Sequence, residues 1–368
     1  MNNIARETTA WDAYLELLTR ERWISNVPCN TVELRIRNQR LPVTLNLAGL
    51  PGTSWVASLR NVYGPYARDE ARLIGMPWAA KLGSDLASYL GEGILALAGL
   101  SGGLYLNNWL VSTNLLQPEF DIDTILQARD SLRCTYPGQP VIVRSLMTEY
   151  HGELMASLVA EGFLLVPTRQ VWLMEGLADG TYRKRHDVKN DLALERRREP
   201  CSAWVSGSEF SDFDWIQAAR LYASLYRGKY PIHNPDYDAG FLRACSRSGW
   251  LEVQGLRRPT GELEGVIGLV RRPGWMSCPL LGYDLQAPKE HGLYRRLNLR
   301  AFQLGEQEGR HMHCSGGAGS FKQTRGARYV VEFAAVSVEG HAYRKPVLKA
   351  LSAALMRWAV PYLQSRAL

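Results

Sequence analysis

Cys278-Pro279-Leu280-Leu281-Gly282-Tyr283-Asp284 opens the stretch that decides how this chain folds. It is apolar up to its last residue and reads as a short buried strand ending on a polar group. Pro288 then allows a helix to start. Leu293, Leu297, Ala301 and Leu304 share one helical face, and Gly305 and Gly309 mark its end. His311-Met312-His313-Cys314-Ser315 has length only for a strand. Gly316-Gly317-Ala318-Gly319 is a turn, and Ser320 to Ala327 supplies one or two helical turns with Phe321, Lys322 and Arg325. A β-branched, aromatic strand over 329–336 closes the unit. The order is strand, helix, strand, short helix, strand.

Outward from there, the first half repeats the plan. Strict alternation predicts a strand over 31–37, and 41–47, 55–62 and 104–111 read as further strands. Helices are expected over 8–20, 67–90, 120–133 and 149–160. A strand ending in Ser145 matches one ending in Ser315, a helix follows each, and Gly162 and Gly326 each open a long strand. Gly176 and Gly180 break the pattern between the halves. The chain therefore divides into lobes 1–178 and 179–368, and 368 residues are too many for one ordinary core. In the second lobe, 182–198 is the most basic segment and reads as a helix, 213–226 as an amphipathic helix, and 250–256 with 263–271 as a hairpin. A last helix is expected over 345–361.

This frame resembles the acyl-donor half of the GNAT acyltransferase fold, and more narrowly the GNAT-related, Fem-type aminoacyltransferases. The residues that carry the resemblance are Gly282-Tyr283-Asp284, Gly292 to Leu297, the turn from Ser315 to Ala318, and Phe321-Lys322 ahead of Arg325-Gly326-Ala327. The resemblance implies an α/β fold of tandem GNAT-like lobes, each a twisted mixed sheet flanked by helices. It also implies transfer of an acyl group from an activated donor to an amine by direct attack. Acyl-CoA users of this fold hold the pyrophosphate at a glycine turn on a helix N-terminus. The matching residues are Lys289, for the basic residue, and Gly292, for the first glycine; Tyr294 stands where a small residue is usual, and Glu290 adds negative charge. Two donors remain: acyl-CoA or another thioester, and, on the Fem-like reading, aminoacyl-tRNA. A third reading is a binding module that has kept the fold and lost the chemistry.

By the same resemblance Lys322 neutralises charge at the reacting ester, Phe321 walls the donor, Gly316 and Gly317 offer N–H groups to an anion, and Arg325 is a second cation. Asp284, at the strand end where such clefts open, is the expected base, and Tyr283 the donor to the leaving group; Glu332 and His313 are reserves. The loop with Tyr230, His233 and Asn234 is a candidate acceptor pocket for a small-molecule or peptide amine. The basic residues of 183–198 could grip tRNA phosphates, or could be a solvated helix face.

Composition narrows the class. Hydrophobic residues at 46% with charged residues at 21% fit a globular chain and exclude a disordered one. The net charge of +7 suits an anionic partner, and equally a merely basic surface. Six cysteines show no CxxC spacing, which argues against a zinc site or a disulfide framework and for a reducing cytoplasm. Cys314 beside His313 suggests a thiol nucleophile, but strand neighbours point to opposite faces. The start of the chain has no signal-peptide pattern. The longest apolar run, 93–100, falls far short of the roughly 20 residues that span a bilayer, so no integral membrane contact is expected.

Overall fold

Alternation of apolar and polar residues makes the first two strands, and they pair as a hairpin. In the computed structural model, which describes residues 2–50, 52–73, 78–197, 202–229, 233–340 and 342–361, helix α1 (Asn2–Arg20) precedes β1 (Asn30–Ile36) and β2 (Gln39–Asn46). Val32 lies opposite Val43 and Leu34 opposite Leu41. The expected strand over 55–62 is helical instead. Ser58 accepts the Asn61 N–H and caps α2 (Leu59–Tyr63), so a short apolar run becomes a helical turn. Helices α3 (Pro65–Leu73) and α4 (Trp78–Leu97) follow. Strand β3 (Gly103–Leu106) is shorter than expected, because Asn107 and Leu110 take positive φ.

The chain continues through α5 (Ile122–Thr135), β4 (Val141–Met147), α6 (Thr148–Ala160) and β5 (Leu164–Met174). Beyond the expected break come α7 (His186–Arg196), β6 (Ala203–Ser206), α8 (Asp212–Ala223) and α9 (Ala239–Arg247). Then β7 (Glu252–Arg257), β8 (Leu263–Arg272) and β9 (Trp275–Tyr283) form a meander. Helix α10 (Leu293–Gln307), β10 (His311–His313), α11 (Gly319–Thr324), β11 (Arg328–Ser337) and α12 (Arg344–Ala354) complete the order read from the sequence.

The chain forms two compact units. One comprises Met1–Leu17, Val171–Lys229 and Asp236–Tyr329; the other comprises Leu18–Gln170, Tyr230–Pro235 and Val330–Leu368. Within the second, the strands run β1-β2-β3-β4-β11; within the first, β6-β7-β8-β9-β10, followed by the end of β5 from Val171. The pairing pattern repeats. The β3/β4 and β9/β10 pairs are parallel, and the pairs on either side of each, β2/β3 with β4/β11 and β8/β9 with β10/β5, are antiparallel. Each series ends on a strand from the other half of the sequence. A single cut at 178 therefore separates β5 from its partner β10, and the compact units are not the sequential lobes 1–178 and 179–368. The backbone repeats too: Ser145 and Ser315 take φ of 66° and 57°, and Gly162 and Gly326 take 82° and 101°.

In the unit holding β4, side chains alternate between two apolar layers. Val141 and Val143 pack with Ile125, Leu132 and Leu158. Ile142 packs with Leu59, Leu95 and Leu348 on the other face. In the unit holding β9, a Cβ on Gly282 would meet the backbone of Leu221 and Tyr222, so α8 covers that face at close approach. A Cβ on Gly265 would meet Leu297 of α10 on the opposite face.

Candidate functional site

Strand β9 carries one residue more than its partner. Between Gly268 and Val270 of β8 the partners step from Leu280 to Ser277, so Cys278-Pro279 forms a bulge. Pro279 has no N–H for the ladder, which suits a bulge. Pairing with β10 ends at the same place: His311, Met312 and His313 lie opposite Trp275, Met276 and Ser277, and the ladder stops. On its other side β10 goes on, with Cys314 N–H donating to Trp172 O at 2.8 Å and Trp172 N–H to Ser315 O at 3.0 Å. Strands β9 and β10 thus part at Cys278. Residues 278–283 present an edge with no strand partner on that side among the described residues. Cys278, Cys314, Ser315 and Gly316 are half-buried at the fork, next to strand residues that are fully buried.

Lys322 sits beneath this fork. It is buried, and its Nζ donates to Cys314 O at 2.6 Å, Gly316 O at 2.8 Å and Ser315 O at 3.3 Å. Three ammonium donors meet three carbonyls, so the lysine fixes the glycine-rich turn from within. That differs from the expected arrangement, in which the turn and the lysine both face an anion. Ser315 N–H donates to Nδ1 of the buried His313, which makes that histidine part of the same turn. Burial pushes the Cys278 thiol up to about 12 and the Cys314 thiol up to about 11, against the pull of the Lys322 ammonium. Both are thiols at neutral pH.

An aromatic wall runs from β9 to α11. Tyr283 and Tyr294 have ring centroids 6.0 Å apart, and Tyr294 and Phe321 4.6 Å apart. The Arg325 guanidinium lies 3.5 Å from the Phe321 ring centre. Its charge is held by Asp191 of α7, with Nε to Oδ2 at 2.6 Å and a second bond from the same guanidinium to Oδ1 at 3.0 Å. Arg295 donates to the same Oδ1 at 2.5 Å. The structure therefore brings Tyr283, Phe321, Lys322 and Arg325 together and adds Tyr294, Asp191 and Arg295. Asp191 had a sequence signal: Val188, Asp191 and Leu194 recur on the inward face of α7, and an acid on an apolar stripe needs a buried cation.

Asp284 lies elsewhere on the edge. It is six residues past the fork, roughly 20 Å along an extended strand. Its Oδ2 accepts from Arg258 at 2.8 Å, and Arg258 also binds the buried Glu264 at 3.0 Å. Asp284 and Lys322 are thus not side by side. Lys289 is exposed at the following turn. Gly292 takes φ of 58° at the N-cap of α10, and a Cβ there would fall 2.4 Å from Leu194. Helix α7 therefore lies against the turn expected to hold a pyrophosphate. Arg296 reinforces the contact by donating to Leu194 O.

His233 and Asn234 belong to the other unit, and Tyr230 lies outside the described residues. Asn61 Nδ2 and His233 Nδ1 are 3.1 Å apart, and Asn234 Oδ1 accepts from Trp55 Nε1 at 3.1 Å. Burial pulls the His233 imidazole below its usual value, opposed by Asp69. That unit has its own parting of parallel strands: β3 ends at Leu106 opposite Val143, while β4 runs on to Met147. Buried polar groups fill the space beyond. Arg144 donates to Val56 O at 2.8 Å and Asn108 Oδ1 at 2.9 Å, and Arg169 pairs with Glu332 at 2.6 Å. Ser145 donates to Glu332 at 2.9 Å, and Trp55 stacks against both arginines. Here the fork is plugged and Glu332 is committed. This network escaped sequence reading because its members come from distant segments.

No family model matches the chain, and no curated protein matches it. Solved structures similar to it include L-PGS from Bacillus licheniformis, with TM-score 0.45 and 15% identity over 62% of this chain and 76% of that one. FemX is similar at TM-score 0.47 and 8% identity, over 62% of this chain and 79% of that one. A tandem GNAT protein from the clavulanic acid biosynthesis pathway is similar at TM-score 0.36 and 14% identity, over 65% and 76%.

Proposed function

We propose that the chain is an acyltransferase that passes an acyl group from an activated donor to an amine by direct attack. The observation that carries this reading is the parting of β9 and β10 at the Cys278-Pro279 bulge, which leaves 278–283 as an open edge. An extended donor can hydrogen-bond along such an edge as an added strand would. Its carbonyl then lies near the fork, beside the turn that Lys322 holds in place through three carbonyls. Tyr283, Tyr294 and Phe321 wall the α10 side. Asp284, with Arg258, shapes the outer end of the edge rather than taking the proton. The half-buried thiols at the fork are protonated, which supports direct attack over a thioester intermediate.

For the donor, acyl-CoA or another thioester would rest its phosphates at Lys289 and Gly292. Aminoacyl-tRNA is the reading that α7 favours. Leu194 covers Gly292, while Lys184, Arg185, Lys189, Arg196 and Arg197 are exposed along 184–197 and suit a polyanion. The test is the melting temperature of the protein with acetyl-CoA, with long-chain acyl-CoA, and with bulk tRNA across a salt series. A steeply salt-dependent rise with tRNA supports the aminoacyl donor, and a rise with a CoA thioester supports the other. Indifference to every donor, with Phe321→Ala unchanged in all three, would leave the binding-module reading in place of both.

A further inference from the structure

A cavity of about 280 Å³ opens in the unit holding β9, and it shares no residue with the fork. Its walls come from α1, the turn from α9 into β7, the end of β8 and the turn from α10 into β10. The volume suits a molecule of amino-acid size.

The charged side chains of the walls form one alternating chain. Glu7 pairs with Arg310, Arg310 with Glu308 at 2.9 Å, Glu308 with Arg271 at 2.7 Å, and Arg271 with Glu252 at 2.7 Å. That leaves one acid in excess. The Arg272 guanidinium, 3.6 Å from the ring centre of the lining Trp11, offsets it. Walls that are neutral in sum yet densely charged favour a ligand carrying both signs over a simple anion or cation.

Two groups of the walls are left over. The Trp250 indole N–H is buried with no hydrogen-bond partner among the described residues, and so is Glu7 Oε2. Trp250 is 5% exposed, and its ring is not free to turn: Tyr14 stacks on it at 3.5 Å and Trp11 meets it edge-on at 5.5 Å. A buried polar group left unpaired destabilises the fold, so two of them at one cavity point to a ligand that supplies both partners. The indole needs an acceptor and the carboxylate oxygen a donor.

We infer that this cavity binds a small zwitterion, of which a free amino acid is the simplest, with its carboxylate on the Trp250 N–H and its ammonium on Glu7. Arg271 lies at the same cavity and adds positive charge to the carboxylate end; its Nε and Nη2 are held by Glu308 and Glu252.

The experiment is calorimetric titration of the full chain with glycine, alanine, leucine, β-alanine and 4-aminobutyrate, and with acetate and methylammonium as the separate halves. At least one zwitterion is expected to bind about tenfold or more tighter than either half. Trp250→Phe keeps an aromatic ring against Tyr14 and removes an N–H that no described protein group accepts. It should therefore hold its melting temperature within a few degrees while affinity falls about tenfold. Glu7→Gln keeps an acceptor for Arg310 and should weaken binding likewise. Binding that survives both variants but is lost in Phe321→Ala would place the ligand at the fork and overturn the inference. Equal affinity for acetate would overturn it by making the cavity an anion site. Failure of every zwitterion to bind would overturn it by leaving solvent only.

Discussion

Asp191 holds Arg325 by two hydrogen bonds, of 2.6 and 3.0 Å, with both side chains almost wholly buried. The pair ties α7 to the helix that follows the glycine-rich turn, and Arg295 joins it at 2.5 Å. Removing the carboxylate leaves the buried Arg325 guanidinium with only the more exposed Asp187, at 3.5 Å, as counter-charge. Asp191→Ala should therefore cost about 3–5 kcal/mol in denaturant unfolding. Asp191→Ala with Arg325→Met should recover much of that loss, because the uncompensated charge goes with it. Equal losses in the single and double variants would show that packing, not charge, is what Asp191 supplies.

Gly282 lets α8 approach β9. A Cβ there would stand 2.5 Å from Tyr222 N and 2.6 Å from Leu221 C, both backbone atoms that cannot rotate away. Gly282→Ala must push the helix outward and should cost about 1–3 kcal/mol. Since 282 lies on the open edge, the same variant should also weaken donor-induced thermal stabilisation. Unchanged stability would mean that α8 yields more readily than a packed helix does.

Much of the frame was legible because it is local. Alternation gave β1 and β2, the runs 250–256 and 263–271 gave the β7/β8 hairpin, and Gly162 and Gly326 marked strand starts that the structure gives positive φ. Residues 55–62 misled because a short apolar run fits a strand or a helix, although Ser58 ahead of Asn61 was a capping signal. The exchange of β5 and β11 was not legible, since strand partners are chosen by tertiary packing. At the site, Phe321-Lys322 was read as walling the donor and neutralising charge at the ester, but sequence could not show that the ammonium is spent on three carbonyls. Pro279 inside an apolar strand was the readable sign of the bulge.

His151 makes stability depend on pH. Its Nδ1 accepts the Met147 N–H at 3.0 Å, and burial pulls its pKa down to about 4, opposed by Glu332. A proton on Nδ1 would break that bond. The unfolded chain titrates at its ordinary 6.5, so above that value both states are neutral and the contribution is complete. As pH falls from 6.5 towards about 4, the unfolded state takes the proton first and stability is lost, by up to roughly 3 kcal/mol. Denaturant unfolding at pH 7 and pH 4.5 checks this: His151→Gln should lose less between the two than the unaltered protein. Parallel losses would place the acid sensitivity on other groups.

The two thiols at the fork decide between one chemical step and two. Cys278 and Cys314 stand where the strands part, close enough to raise suspicion of a nucleophile. Burial holds their pKa values at about 12 and about 11, and the Lys322 ammonium, already shared among three carbonyls, offsets only part of that. At pH 7 the thiolate fraction is then too small to carry an acyl group between donor and amine. If the chain is the proposed acyltransferase, Cys278→Ala and Cys314→Ala should each leave turnover with the donor found by thermal shift within about threefold of the unaltered protein. Mass spectrometry of the protein quenched during turnover should show no acyl adduct on either cysteine. An adduct on Cys314 that disappears in Cys314→Ala together with activity would replace direct attack with a two-step transfer through that sulfur.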